Sequence, residues 1–420
     1  MEIEFDLKDK MSAVESCRVC RSTNSSLYLI VRRAEGDLNL FSCHACGSLY
    51  FDGQSPASAY ADIAPNSAFW LDYVQAGAGI SSMLEPLLAV APHLRGSLID
   101  VGSGFGFVVD FWRRLGNTAI GLEPSSYGEL GRQLLGVDNR SIDLETFRTE
   151  NPKETFDVVF SSEVIEHTAS PKNFLDGLVS LVGESGTLIL TTPSPSVVSS
   201  TANPSELLSA LSPGFHYCII SPTALKSMLE EHGLEVTVAT HGVQTYVWAT
   251  RTRGLTFSTD RFDWPMYLAY LEQISDTPDR HLSSGVLCRL FKDSLNTRDF
   301  ERATSSYAKL SKLARSAYGI SLESPEISSL LENKQPMTLL DQYPSWLGNA
   351  LLFGALHVGF TRGDYRTKVR MLDAAIRVLE RRVEVERQFG QEAAHFLPFA
   401  REQYIISLRE SLESDASRHQ

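Results

Sequence analysis

Three groups of residues have the types and spacing to do chemistry. Cys17-Arg-Val-Cys20 and Cys43-His-Ala-Cys46 are two C-x-x-C pairs separated by 22 residues. Four thiolates across a hairpin-sized interval suit a tetrahedral structural Zn²⁺, with no position left open for catalysis. His44, inside the second pair, reads as an exposed neighbour and not as a ligand. In the second group, Leu98-Ile-Asp-Val-Gly-Ser-Gly-Phe-Gly106 runs an apolar strand into a glycine-rich turn and then a helix. Gly102, Gly104 and Gly106 let the backbone turn sharply and approach a ligand closely, and the helix start near Phe107 favours a carboxylate. Asp100 falls at the strand end, within reach of an amino group. Glu123, seventeen residues after Gly106, ends the next strand, where a carboxylate can accept both hydroxyls of a ribose. The third group is Glu163-Val-Ile-Glu-His167 together with His216. If this segment opens a helix, Glu163, Glu166 and His167 share one face at i, i+3 and i+4. With His216 as a fourth donor they could hold Mg²⁺ or another divalent cation as a Lewis acid toward a hydroxyl. Two other readings compete. The glutamates could cap the helix while His167 orients the loop, or His167 or His216 could itself act as general base.

The elements that position these groups follow from the apolar pattern. Ser97–Val101, Thr118–Leu122, Phe156–Phe160, Thr187–Thr191 and Leu234–Thr240 are short runs of the kind buried on both faces of a sheet. Helical spacing at Val108–Leu115, Tyr127–Leu135 and Pro171–Leu181 alternates with them, which predicts a parallel sheet covered by helices. Leu234–Thr240 and Gln244–Arg251 form a candidate antiparallel hairpin at the sheet edge. Three regions emerge: 1–55 with the cysteines, 56–254 with the alternating elements, and 255–420, helical almost throughout. The last contains two similar segments, Gly285-Val-Leu-Cys-Arg-Leu-Phe with Asn296-Thr-Arg-Asp, and Gly348-Asn-Ala-Leu-Leu-Phe-Gly with Thr361-Arg-Gly-Asp, each read as helix, tight turn, helix. Phe262, Trp264, Tyr267 and Tyr270 read as core and not as a sugar platform, and Arg377–Arg387 reads as a solvated helix face.

Read together, LIDVGSGFG, GLEP, FDVVFSSEVIEH and GTLILTTPSP, in this order over roughly residues 80–250, resemble the motifs of the class I S-adenosylmethionine-dependent methyltransferase superfamily. The resemblance implies an α/β fold with a Rossmann-like, doubly wound, mostly parallel seven-stranded sheet. The cysteine module would precede it as a zinc ribbon, and an all-α domain would follow. It also implies that Gly102, Gly104 and Gly106 line the methionine end and that Glu123 binds the ribose. Ile142 and Asp143 would flank the adenine, and Ser161 would join the cofactor site. A dehydrogenase would use the same glycines and acid but leaves Glu163-Val-Ile-Glu-His167 without a role.

The layout of that segment with a later histidine is similar to small-RNA 2′-O-methyltransferases and ubiquinone-pathway O-methyltransferases, where such residues hold a metal. A cysteine-rich leader also occurs on methyltransferases of nucleotide-linked sugars, where it helps shape the acceptor side. The Tyr-His-Glu-His segment of the sugar C-methyltransferases is absent here, which puts O-methylation ahead of C- or N-methylation. The expected acceptor is a small molecule or glycan, most simply a sugar hydroxyl in a glycan, nucleotide-sugar or natural-product pathway. RNA 2′-O-methylation and a non-catalytic scaffold are the alternatives.

Bulk properties bound these readings. The net charge of −13 disfavours nucleic acid and anionic membranes as partners. No apolar run approaches the ~20 residues of a transmembrane helix, and the acidic, polar start is unlike a signal peptide, so a cytoplasmic location is expected. Cys218 and Cys288 are expected to be packed. A homo-oligomer or a protein partner is expected to use the helical C-terminal region.

Overall fold

The computed structural model describes residues 2–5, 16–52, 68–76, 80–90, 94–255, 257, 262–326, 344–385 and 391–418. Where the sequence suggests three regions, the chain divides into two compact units. Met1–Pro65 joins Ser81–Asp263 in one, and Asn66–Ile80 joins Trp264–Gln420 in the other.

The first unit contains two sheets. β1 (Glu2–Glu4), β2 (Ser25–Arg32), β3 (Leu38–Cys43) and β4 (Leu49–Phe51) form an antiparallel meander. Alternation in β2 turns Leu27, Leu29 and Val31 inward and leaves Ser26, Tyr28 and Ile30 less covered. After α1 (Ala68–Ala76), a member of the second unit, and α2 (Ile80–Leu88), the chain enters the alternating region. It runs through β5 (Ser97–Val101), α3 (Phe107–Arg114), β6 (Thr118–Leu122), α4 (Ser126–Leu135), β7 (Asn139–Arg140), α5 (Leu144–Glu150), β8 (Phe156–Ser162), α6 (Pro171–Ser180) and β9 (Val182–Pro193). It continues with α7 (Pro204–Leu211), β10 (Cys218–Ile219), α8 (Pro222–Glu230), β11 (Glu235–His241) and β12 (Gln244–Thr250).

The second sheet has seven strands in the order β11-β12-β9-β8-β5-β6-β7. Its pairs are parallel from β9 to β7, and the β11–β12 hairpin adds antiparallel to β9 at one edge. Its central strands place Leu98, Ile99, Val158, Val159, Leu188, Ile189 and Leu190 out of solvent, the two-sided burial that their unbroken apolar runs require. Helix ends are set locally: Ser125 and Ser221 cap α4 and α8 through their hydroxyls, and Pro171 and Pro222 occupy the first turns of α6 and α8.

The two sheets share a core. Cys17, Phe41 and Tyr50 of the cysteine module belong to the same apolar cluster as Ile99, Leu188 and Val247. β4 also pairs with β10, so the first sheet gains a fifth strand from the alternating region.

The second unit contains α1 and α9 (Trp264–Ser275), then α10 (Arg280–Asn296) and α11 (Phe300–Tyr318), followed by α12 (Leu347–Arg362), α13 (Tyr365–Val385) and α14 (Gln391–Arg418). Both expected helix–turn–helix segments form, as α10–α11 and α12–α13, with Asp299 and Asp364 capping the second helix of each. Tyr267 and Tyr270 are buried, while Trp264 is part-exposed and packs edge-on to Tyr267. Arg382 departs from the solvated face expected of its helix: it is buried and pairs with the buried-side Asp72 at 2.6 Å.

Candidate active site

The cofactor candidates gather at the carboxyl ends of β5 and β6. Gly102, Gly104 and Gly106 all have positive φ, at 77°, 52° and 88°. Space matters at two of them. A Cβ on Gly102 would collide with Val164 Cγ2, and one on Gly106 would lie 2.8 Å from Asn139 Nδ2. The amides of Gly102 and Ser103 both donate to the Leu122 carbonyl, tying the turn to β6. Glu123 locks the same turn: one carboxylate oxygen accepts from Gly104 N and the other from Ser125 N, each at 2.9 Å. Each oxygen retains a lone pair for a ligand hydroxyl. Asp100 is buried at the end of β5, and its carboxyl is raised well above the usual range by burial and then by the charge of Glu123.

The remaining cofactor candidates are placed as follows. Ser161 donates its hydroxyl to the Val101 carbonyl at 2.9 Å, latching β8 to the end of β5. Ile142 is part-buried against the sheet's core, and Asp143 caps α5 through Thr146 N at 2.8 Å. Asn139 is a residue that sequence reasoning missed. It is buried, its amide donates to the Gly104 carbonyl, and its oxygen accepts from Ser103. Only its position beside the Arg140-Ser-Ile-Asp stretch hints at this, because a two-residue strand has no periodicity to read.

The third group differs from expectation. No α-helix begins at Glu163. The chain makes a single 3₁₀ turn, Ile165–His167, and Glu163 precedes it in the left-handed region at φ 57°. Glu166, His167 and His216 come together, their ligand atoms all within 4.8 Å of one another. Glu163 is not part of that group. Its carboxylate accepts from Thr191 Oγ1 at 3.0 Å, its amide donates to the Thr191 carbonyl, and burial pushes its carboxyl up to about 7. The spacing argument fails because a 3₁₀ turn advances three residues per turn, and because positive φ turns residue 163 away from the turn that follows.

The trio itself is built as a donor set. Burial, followed by the neighbouring His167, drives His216 down to about 3, and burial also lowers His167. Both rings are thus neutral at physiological pH. The Nδ1 of His216 faces the Ala210 carbonyl at 2.9 Å and that of His167 faces the Phe215 carbonyl at 3.0 Å, which assigns the proton to Nδ1 and the lone pair to Nε2 in each. Glu166 is fully buried, and burial raises its carboxyl well above the ordinary range. One oxygen accepts from Thr192 Oγ1, and Oε1 has no hydrogen-bond partner. A buried, unpartnered carboxylate oxygen beside two oriented imidazoles fits a divalent cation.

The cysteine tetrad fits zinc by its donor set and spacing. Sγ of Cys17 and Cys46 are 3.7 Å apart, and those of Cys20 and Cys43 3.5 Å. Zn–S bonds of about 2.3 Å in a tetrahedron separate sulfurs by roughly 3.8 Å. Each knuckle closes on a left-handed residue, Arg21 after Cys20 and Gly47 after Cys46. His44 is exposed, and Cys218 and Cys288 are buried.

This module touches the third group through the backbone. Phe51 N donates to the Tyr217 carbonyl, and Tyr217 N donates to the Glu166 carbonyl at 2.7 Å. Ser221 donates through Oγ to the Cys46 carbonyl, and its amide donates to Ser48 Oγ at 3.0 Å. The Arg18 guanidinium lies over the Tyr217 ring. α7 and the 195–216 loop pack their apolar side chains, including Val198 and Leu211, against Leu29, Val31 and Phe51 of the module.

The chain is similar in part to known methyltransferases. A family model for a methyltransferase domain matches residues 76–239. The ubiquinone biosynthesis O-methyltransferase of Rhodopseudomonas palustris (strain TIE-1) is 31% identical over 101 residues, 23% of this chain and 39% of that protein. The protein of the same description from Parvibaculum lavamentivorans is 31% identical over 110 residues, 25% of this chain and 43% of that one. The chain thus spans about two fifths of the length of these curated relatives. Among solved structures, a SAM-dependent methyltransferase from Archaeoglobus fulgidus aligns over 44% of this chain and all of its own, at 15% identity and a TM-score of 0.37. Among the described residues, no helix is long and apolar enough to cross a membrane. The stretch that carries the glycine turn and the Glu163–His167 segment, residues 76–239, is thus similar to methyltransferase domains.

Proposed function

We propose that the protein transfers a methyl group from S-adenosylmethionine to a hydroxyl of a small polar acceptor, a sugar, glycan or natural-product intermediate. The observation that carries this reading is the packing of Val164 on Gly102. It sets Glu163 and the start of the 3₁₀ turn directly on the glycine turn, so a cofactor cradle and an acid–base group share one edge of the sheet.

The glycine turn with Asp100 and Glu123 would hold the cofactor, Asp100 toward its amino group and Glu123 toward its ribose, with Ile142, Asp143 and Ser161 around the rest. When bound, the cofactor supplies an activated methyl group; the chain must align the acceptor and remove its proton. Glu163 suits the second task, because a carboxyl tuned to about 7 is largely ionised just above neutrality and still basic enough to take a proton. Glu166, His167 and His216 would hold a divalent cation that orients the acceptor. Two imidazoles with one carboxylate favour a transition metal such as Zn²⁺ over Mg²⁺. The cysteine tetrad would hold a separate structural Zn²⁺ that fixes the backbone behind His216.

The test is incubation of the purified chain with methyl-labelled S-adenosylmethionine and a small-molecule extract. Label entering a metabolite at oxygen is the expected result. Label at carbon or nitrogen would move the acceptor class. No transfer to any small molecule, with label entering RNA or protein instead, would overturn the small-acceptor reading.

A further inference from the structure

We propose that α14 is the interface of a twofold-symmetric dimer, pairing antiparallel with α14 of a second copy of this chain about an axis between residues 405 and 406. The inference rests on the helical unit alone and is independent of the methyltransferase reading. One side of α14 is committed internally. Ala400 and Ser407 are fully buried, Phe396, Leu397 and Tyr404 pack on the unit's core, and Glu410 pairs with Lys368 at 2.8 Å. At 3.6 residues per turn the opposite side collects Phe399, Glu402, Ile405, Ile406, Arg409 and Leu412. Of these, Ile405 is 55% exposed and Leu412 71%. Large apolar side chains at i and i+7 on an exposed helix stripe are the pattern of a covered surface, not of a solvated one.

The order of residues along the stripe selects the occupant. A twofold axis between 405 and 406 matches each residue with the one whose number brings the pair's sum to 811. Glu402 then stands opposite Arg409 of the second copy, Phe399 opposite Leu412, and Ile405 opposite Ile406. An isologous interface must be self-complementary in this way, and each ion pair in it forms twice. Within one chain neither Glu402 nor Arg409 pairs with another described residue, whereas Arg401 beside them is engaged by Glu380. Roughly 20 Å of helix lies between Phe399 and Leu412, enough for two apolar layers on each side of the axis, with the charges flanking the seam as they do in paired helices.

Sedimentation velocity on the full chain tests the proposal, with circular dichroism confirming helix content in each variant. The chain is expected to be a dimer. Glu402→Arg and Arg409→Glu should each weaken dimerisation by about tenfold or more, because each reversal sets two like-charge contacts across the axis. The double variant should return to within about threefold of the original, since both pairs re-form with the charges exchanged. Leu412→Asp, which alters no pair, should also weaken the dimer. A monomer at every accessible concentration would overturn the proposal. So would single reversals without effect, or a double variant as weak as the two singles combined.

Discussion

Glu163 combines a left-handed backbone, unusual for a side chain of its size, with a carboxyl raised from 4.5 to about 7 by burial. Both are costs to the fold, and they coincide beside the glycine turn, where strain and altered acidity are most useful. Two consequences follow for Glu163→Gln. Methyl transfer should fall by about 10²–10⁴-fold, and the rise of kcat/KM with pH through about 7 should disappear with the base. Stability should move the other way. A carboxyl with a raised folded-state pKa withholds stability as pH climbs from its ordinary 4.5 through about 7. The glutamine variant should therefore melt higher than wild type above that range and about equally below it, in thermal scans at several pH values. Glu123 is a second residue-scale test. Its removal frees the Gly104 and Ser125 amides. With it would go the charged hydrogen bond proposed to a cofactor hydroxyl, and at about 1.5–3 kcal/mol that loss predicts at least a tenfold fall in S-adenosylhomocysteine affinity by calorimetry. The placement of the glycines and Asp100 in one strand–turn–helix unit, with Glu123 at the end of the next strand, was legible in the sequence because that spacing is local. Asn139 was not, since its role depends on a partner 35 residues away.

At the scale of elements, the apolar runs announced β5 and β6 to the residue and gave the cores of β8 and β9, both of which extend further. The hairpin at the sheet edge was also legible, as β11 and β12. Two features were not. The 3₁₀ turn at Ile165–His167 has the same spacing of acids and histidine as an α-helix, and only backbone geometry separates them. β10, two residues long, carries no pattern at all, yet its pairing with β4 joins the cysteine module to the alternating region. That join makes the module part of the site's scaffold, because the path from Phe51 through Tyr217 ends on Glu166, while Ser221 ties Cys46 to the start of α8. Cys46→Ser should therefore cut bound zinc, measured by elemental analysis, and slow methyl transfer by about tenfold to a hundredfold, the effect of displacing a reacting group by an ångström or so. S-adenosylhomocysteine affinity should change little, since the glycine turn hangs on β6 and Asn139 instead.

For the whole molecule, each compact unit carries its own core and its own vulnerability. In the helical unit the buried Arg382–Asp72 pair joins α13 to α1, two segments separated by 310 positions. Asp72→Ala leaves a buried guanidinium without its carboxylate and should lower that unit's stability by about 3–5 kcal/mol, read as an earlier denaturation transition, with cofactor affinity unchanged. Arg382 shows what periodicity cannot see: the pattern marks a polar position, and only the partner from a distant helix makes it an interior one. The broad division into an α/β region and a helical region was legible from the change of period near residue 255, while the transfer of α1 to the helical unit was not. Everything proposed for the α/β unit depends on the glycine turn being a working cofactor site. Calorimetric titration of the full chain with S-adenosylhomocysteine, beside Gly104→Ala, tests it most directly. A Cβ at position 104 meets Tyr127 only at ordinary contact distance, but the φ of 52° strains any side chain there, so circular dichroism first confirms that the variant folds. One site of micromolar affinity is expected in the wild type, weakened about tenfold or more in the variant, whereas a wild-type chain that binds no S-adenosylhomocysteine would rule the cofactor site out.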